Sequence, residues 1–474
     1  MLEMNSPHAV QTLLNRRVFL QSGGLGLGAA VLSWLLAQDQ ARGAPGPLAP
    51  RVPHFTPKAR SVIYFHMVGA PSHLDLFQYK PELKQWDGKP CPEEFIRGKK
   101  FAFLRGHPRL AASPFRFRPC GQSGTMLSEL LPHLGQVADQ LCFVHSLHTE
   151  QINHGPAQLF LHTGFARPGR PGIGSWLVYG LGTMNENLPA YVVLRTGNLA
   201  GAGASLWSSG FLPPVYQGVA FRKGPEPVFF LADPPGRTRA DRRRVLDALG
   251  ELNQRRYELL ADPEIATRVA QYELAFRMQA SLPELTDLSS EDAKTLELYG
   301  AKPGRASFAA NCLLARRLVE QGVRVVEVYD ATWDHHSKLN QLLPKKCREV
   351  DRPLAALILD LKRRGLLEQT LIVWAAEFGR TPMQQGGSKN AGRDHHKDAF
   401  TVWMAGGGAK GGFSYGATDP FGYNVVENPV KVHDFNATVL HLLGIDHRRL
   451  VFRFQGRDFR LTEVDGRVVP ELIG

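Results

Sequence analysis

Short apolar runs alternate with amphipathic, leucine-rich stretches along most of this chain, and that alternation limits its fold more than any other feature. The strand-like runs are "SVIYFHMV" (61–68), "LCFVHSL" (141–147), "AYVVLRTG" (190–197), "VRVVEVY" (323–329), "TLIVWAA" (370–376) and "FTVWMAGG" (400–407). Between them lie helical patterns. These are "LSELLPHLGQVADQ" (127–140, despite Pro132), "GPAQLFLHTG", "IGSWLVYGLG" (173–182), a long section from Arg242 to about Leu285, "RASFAANCLLARRLVEQG" (305–322), "RPLAALILDLKRRG" (352–365) and "HDFNATVLHLLG" (433–444). Continuous apolar strands are buried on both faces, so the pattern predicts an α/β fold with a mostly parallel central sheet covered by helices on each side. The expected organisation is an N-terminal signal over 1–44, a Pro/Gly-rich linker over 45–58, and one α/β domain over 59–474. That domain carries a helical insertion around 240–300.

The signal is read from "NRRVFL" (15–20), followed by a mild Gly/Ala-rich apolar run. Two adjacent arginines before such a run predict export by the twin-arginine machinery, to the periplasm or beyond. Leu25–Ala37 is about 13 residues, short of the roughly 20 that span a bilayer, so no stable transmembrane span is expected. Gly24-x-Gly26-x-x-Ala29 imitates a dinucleotide fingerprint, but no strand precedes it.

The chain of 474 residues has 56 Lys+Arg against 44 Asp+Glu, a formal charge of +12. That balance admits an anionic partner. The basic runs Arg242–Arg244, Arg255–Arg256 and Lys362–Arg364 read as solvated faces, two of them in helical segments, and no nucleic-acid-binding pattern is present. None of Cys91, Cys120, Cys142, Cys312 and Cys347 makes a C-x-x-C pair. Cys142 and Cys312 read as core, while Cys91 and Cys120 flank one loop-rich region and are candidates for pairing.

Ligands in open α/β sheets bind beyond the carboxyl ends of strands, and polar clusters fall there. "GAPSHLDLF" supplies His73 and Asp75. "DATWDHHSK" supplies Asp330, Asp334, His335 and His336. "EFGRTP" supplies Glu377 and Arg380. A loop before the 400–407 run adds Arg393, Asp394, His395, His396 and Asp398. Imidazoles and carboxylates suit one or two divalent metal ions, with zinc, manganese, calcium and iron all compatible. The expected ligands are Asp334, His336, Glu377, Asp394, His395, His73 and Asp75. Arg380 and Arg393 fit either an anionic ester or a salt bridge to a neighbouring aspartate. The glycine-rich "AGGGAKGG" (405–412) lacks the spacing of a phosphate loop and reads as a turn lining the site.

Taken together, "GAPSHLDLF", "FRFRPCGQSGTMLSELLPHL", "INHGPAQLFLHTG", "SGFLPPVYQGVAFR", "EDAKTLELYGAKP", "WDHH" and "EFGRTP…GRDHHKDAFTVWMAGGGAKGG" resemble the bacterial family called domain of unknown function 1501, over about 58–460. That family is similar to sulfatases within the alkaline-phosphatase-like superfamily. The resemblance implies a three-layer α/β/α sandwich with a metal site at the strand ends. Aligned on the sulfatase nucleophile segment, Pro156, Thr163 and Gly164 match, but His154 stands in the nucleophile position, Ala157 replaces Ser and Gln158 replaces Arg. Glu377 and Gly379 match a second motif whose histidine is replaced by Phe378. Formylglycine chemistry is therefore not expected. The leading expectation is an exported metal-dependent hydrolase of phosphate or sulfate esters, with His154 as ligand or general acid/base. The alternatives are a non-catalytic binder of acidic or sulfated glycans and a structural envelope protein.

Overall fold

The computed structural model describes residues 46–474, except 223–226, 229–232, 234–235, 261 and 388–389. The expected export signal lies outside the described residues. The central sheet is built from β1 (Ser61–Met67), β2 (Leu141–His148), β3 (Tyr191–Thr196), β4 (Val219–Ala220), β5 (Val325–Asp330), β6 (Thr370–Ala375), β7 (Phe400–Ala405), β8 (Phe413–Tyr415) and β9 (Val430–Lys431). Their spatial order is β8-β2-β7-β6-β1-β5-β3-β4, with β9 also pairing with β2. All pairings are parallel except those of β7 with β2 and with β6. The sheet is mostly parallel, as the apolar runs imply.

Side chains alternate between the two faces with the period of two that a strand imposes. From β1, Ile63, Phe65 and Met67 enter one core and Val62 and Tyr64 enter the other. The first core is closed by α4 (Pro263–Thr286), α5 (Phe308–Glu320) and α6 (Leu339–Arg363). The second is closed by α1 (His154–Thr163), α2 (Ile173–Leu181) and α7 (Val432–Leu442). Helices on both faces complete a three-layer α/β/α sandwich. The long helical section is two helices, α3 (Arg239–Leu260) and α4, joined near a proline that starts the second.

Three local expectations are corrected. Residues 127–140 do not form one helix. Thr125–Ser128 is a strand paired with Phe117–Cys120, and only Leu134–Gln140 winds, as a 3₁₀ helix. Pro132 lacks the N–H that a continuous helix needs. Cys91 and Cys120 are both free and buried, in separate apolar clusters. The 405–412 glycine turn does not line the site. Because β7 runs against its neighbours, its far end lies at the opposite edge of the sheet, where Gly407 abuts Leu371 at the start of β6. The same reversal brings the residues before β7, rather than those after it, to the carboxyl ends of β1, β2, β5 and β6.

Among the described residues, no helix is long and apolar enough to cross a membrane.

Candidate metal centre

The segment after β5 turns sharply through Ala331, Thr332 and Trp333 before it reaches Asp334. It is clamped between two glycines. A Cβ on Gly69, whose φ is +107°, would come within 2.6 Å of the Asp334 nitrogen, and one on Gly392 within 2.1 Å of the His336 carbonyl carbon. Thr332 (φ 76°) and Ala70 (φ 57°) also adopt left-handed backbone. Strain of this kind persists only where the surroundings over-determine it, and it collects at functional sites. A short antiparallel pair sets Gly379–Arg380 against His395–His396 and delivers His395 to the same place. His154 arrives from the first turn of α1, which follows β2.

Four side chains converge there. His154, Asp334, His336 and His395 each offer one ligand atom, and these atoms lie within 4.8 Å of one another. Asp334 Oδ1 is 2.8 Å from His336 Nε2 and 3.5 Å from His395 Nε2, while Oδ2 is 3.3 Å from His154 Nε2. The other nitrogen of each ring is committed. His154 Nδ1 donates to Glu377 Oε1 (2.7 Å), His336 Nδ1 to Gln385 Oε1 (2.6 Å) and His395 Nδ1 to the Ile152 carbonyl (2.8 Å). These acceptors require a proton on each Nδ1. With Nδ1 occupied in each ring, the Nε2 atoms of His336 and His395 face each other at 3.0 Å and both face Asp334 Oδ1. Two lone pairs at that distance repel unless a cation or proton lies between them. Outer partners of this kind are how proteins fix the tautomer of metal-binding histidines. The donor set therefore fits a divalent cation, with His154, Asp334, His336 and His395 to hold it.

The electrostatics agree. Burial opposes charge on His154, but the Asp334 and Glu377 carboxylates outweigh it and raise its pKa to about 9. Burial likewise opposes charge on Asp334, yet His154, His336, His395 and Arg380 hold it far below the usual carboxylate range. His395 is lowered by burial and then by Arg380, so it is neutral near pH ~7. Without a cation, the proton on His154 offsets part of the Asp334 and Glu377 charge.

The remaining expected site residues lie nearby in other roles. Glu377 is fully buried one layer behind the cluster. Its Oε1 accepts from His154 Nδ1, the Gly69 N–H and the Gln158 amide, and its Oε2 from His66 Nε2. It orients His154. Arg380, which fits an anionic ester or a salt bridge, is only 1% exposed. Its guanidinium donates to the carbonyls of Ala70, Gly69 and Arg393 and to Asp334 Oδ1, tying the β1, β5 and β6 loops together. Arg393 takes the salt-bridge alternative. It is buried against Asp75 (2.7 Å) and bonds the carbonyls of Ala111 and Thr381. Asp75 is thereby committed to Arg393 and to the Ser72 hydroxyl. Asp394 accepts from the N–H groups of Phe103, Leu104 and His395 and organises that loop. His73 is buried, with Nδ1 against the Arg380 N–H, and burial drives its pKa well down. Both guanidiniums are buried on protein partners, and none of His73, Asp75 and Asp394 belongs to the converging set.

Sequence reasoning missed His66, His162, Glu327 and Gln385. A signal existed for the first three, because each is an ionisable residue inside an otherwise apolar strand or helix run, where such groups are rarely buried without a partner.

The family described as "Protein of unknown function (DUF1501)" matches residues 59–473. No curated protein matches the chain. Among solved structures, a sulfatase from Pseudoalteromonas sp. is 12% identical, with 93% of this chain and 72% of that one covered and a TM-score of 0.35. A phosphonate monoester hydrolase from Silicibacter pomeroyi is 14% identical, covering 72% and 71%, at 0.34. An alkaline phosphatase from the Antarctic bacterium TAB5 is 11% identical, covering 82% and 98%, at 0.32.

Proposed function

We propose, for a chain that belongs to the DUF1501 family, that the His154–Asp334–His336–His395 cluster holds one divalent cation and serves hydrolysis of an anionic ester, phosphate or sulfate. The observation that carries this reading is the pair of Nε2 atoms facing each other at 3.0 Å with both Nδ1 atoms engaged elsewhere. Three imidazoles and one carboxylate suit zinc, manganese or iron better than calcium, which favours all-oxygen shells.

When bound, a divalent cation would supply Lewis acidity, polarising an ester oxygen and lowering the pKa of a water. The chain's own groups do the rest. Arg380 keeps the Asp334 carboxylate turned toward the cluster. Glu377 holds His154 by Nδ1, so that its Nε2 faces the other ligands rather than a substrate. That leaves no side-chain nucleophile in the cluster and favours direct attack by water over a covalent intermediate. The four side chains are partly open to solvent at Asp334, which is 40% exposed, so an ester can approach from that side. The substrate class comes from the sequence resemblance to sulfatases and phosphatases. Delivery by the twin-arginine pathway comes from the "NRRVFL" segment and is part of the same proposal.

Protein purified from its native compartment is expected to carry about one transition-metal ion per chain and to lose it to a chelator. It is expected to hydrolyse an aryl phosphate, a phosphodiester or an aryl sulfate in a chelator-sensitive way. Stoichiometric metal with no turnover of any of the three would overturn the hydrolase reading. A chain that takes up no metal would overturn the cation site itself.

A further inference from the structure

Behind the cluster a line of ionisable side chains runs into the core, and the proposed chemistry makes no use of it. Glu377 Oε2 accepts from His66 Nε2 at 3.0 Å, His66 Nδ1 meets His162 Nε2 at 2.8 Å, and His162 Nδ1 faces Glu327 Oε1 at 3.5 Å. Glu327 Oε2 accepts from the Tyr329 hydroxyl at 2.6 Å. His66, His162, Glu327 and Glu377 are all 0% exposed. The hydroxyls of Tyr64 and Tyr191 complete the surroundings of Glu327. Burial first, and the Glu327 charge second, push all three tyrosines upward, so they stay neutral.

Glu377 needs a proton on His66 Nε2. The short contact between the rings needs a second, and burial disfavours a doubly protonated His66, so it belongs to His162 Nε2. Both rings are then neutral. Yet His162 Nδ1 and Glu327 Oε1 still face each other, and neither has a hydrogen-bond partner. A bare lone pair against a carboxylate oxygen, both sealed from water, is the kind of unsatisfied burial that proteins avoid. A third proton removes the conflict, whether it sits on the nitrogen or on the oxygen.

We propose that His66, His162 and Glu327 are positioning residues for the cluster. They form a buried line that holds one proton on His162 Nδ1 or Glu327 Oε1 and keeps Glu377 an acceptor for His154 Nδ1–H. The proton count follows from the buried contacts and stands with or without a cation. The service to His154 rests on the cation-site reading.

The test uses the full chain labelled with ¹⁵N-histidine and ¹³C-glutamate, without metal, at pH ~8, where free histidine and glutamate are both deprotonated. The expected result is either His162 protonated at both ring nitrogens or a protonated Glu327 carboxyl. Signals are assigned by their loss in His162→Gln and Glu327→Gln. The His162→Gln/Glu327→Gln double variant assigns both if a single variant fails to fold. A bare His162 Nδ1 together with an ionised Glu327 overturns the proposal. For the positioning role, His66→Gln is expected to weaken Zn²⁺ binding about tenfold, at the low end of outer-partner effects, while Tyr64→Phe leaves it unchanged. Equal losses in both variants would assign the effect to packing and overturn that role. A wild-type chain that shows the held proton but binds no Zn²⁺ overturns the cation reading and leaves the proton count standing.

Discussion

Cation uptake should expel a proton from His154, and the size of that effect follows from the geometry. His154 Nε2 is one of the converging ligand atoms, and the Asp334 and Glu377 carboxylates overcome burial to raise its pKa to about 9. A ligand must be deprotonated to bind, so affinity is linked to pH. At pH ~7 the site sits two units below that value, which makes the apparent affinity ~100-fold weaker than its limit above pH ~9. The affinity should therefore rise about tenfold per pH unit between pH ~7 and ~9 and then level off. The sign for the cation-free protein is the reverse. The raised pKa makes charged His154 stabilising, fully so below its ordinary value of 6.5, and that contribution is lost as pH rises through about 9. Titration calorimetry with Zn²⁺ at pH ~7.5, in two buffers of different ionisation enthalpy, counts the protons released. Wild type is expected to release about one proton more than His154→Gln, which carries no such proton. A wild type that releases none, or a His154→Gln variant that releases as many as wild type, would refute the assignment of His154.

Three further outcomes are expected. Asp75→Asn leaves Arg393 buried without its counter-charge and should cost about 3–5 kcal/mol in urea unfolding, whereas a cost below about 1 kcal/mol would mean that the pair behaves as an exposed one. Gly69→Ala places a methyl within 2.6 Å of the Asp334 nitrogen at φ +107°. It should lower stability by about 1–3 kcal/mol in thermal melts and weaken Zn²⁺ binding at the same time, and unchanged binding would separate this turn from the site. Glu377→Gln keeps the shape but weakens the acceptor for His154 and should reduce Zn²⁺ affinity about 10–100-fold. An unchanged affinity would show that His154 needs no orienting partner.

The two arginines show where reading side-chain types alone stops. Beside carboxylates, Arg380 and Arg393 fit an anion clamp as well as a salt bridge. Only burial separates the two. Once a guanidinium sits at 1–2% exposure among carbonyls, its donors are turned away from any ligand. Asp394 is similar. It neighbours His395 in the chain, yet its oxygens cap backbone N–H groups of a loop near residue 103, a contact of long sequence separation that no local pattern encodes. His66, His162 and Glu327 were visible as oddities in apolar runs, but three separate runs had to be brought side by side before they formed a line.

What the sequence by itself determined is the layering and one edge of the sheet as the place of the site. Apolar runs of strand length must be buried on both faces, parallel strands need helical crossovers, and the polar segments bearing His73, Asp75, Asp334, His336, Glu377 and Arg380 follow the strands β1, β5 and β6. What only the tertiary structure decided is which of those residues meet. The reversed strand β7 carries the residues before it, rather than the glycine turn after it, to the site. The two glycines that admit the 333–336 segment set the positions of Asp334 and His336. A ligand set depends on distances of a few ångströms between atoms hundreds of residues apart, and only the packed core sets those distances.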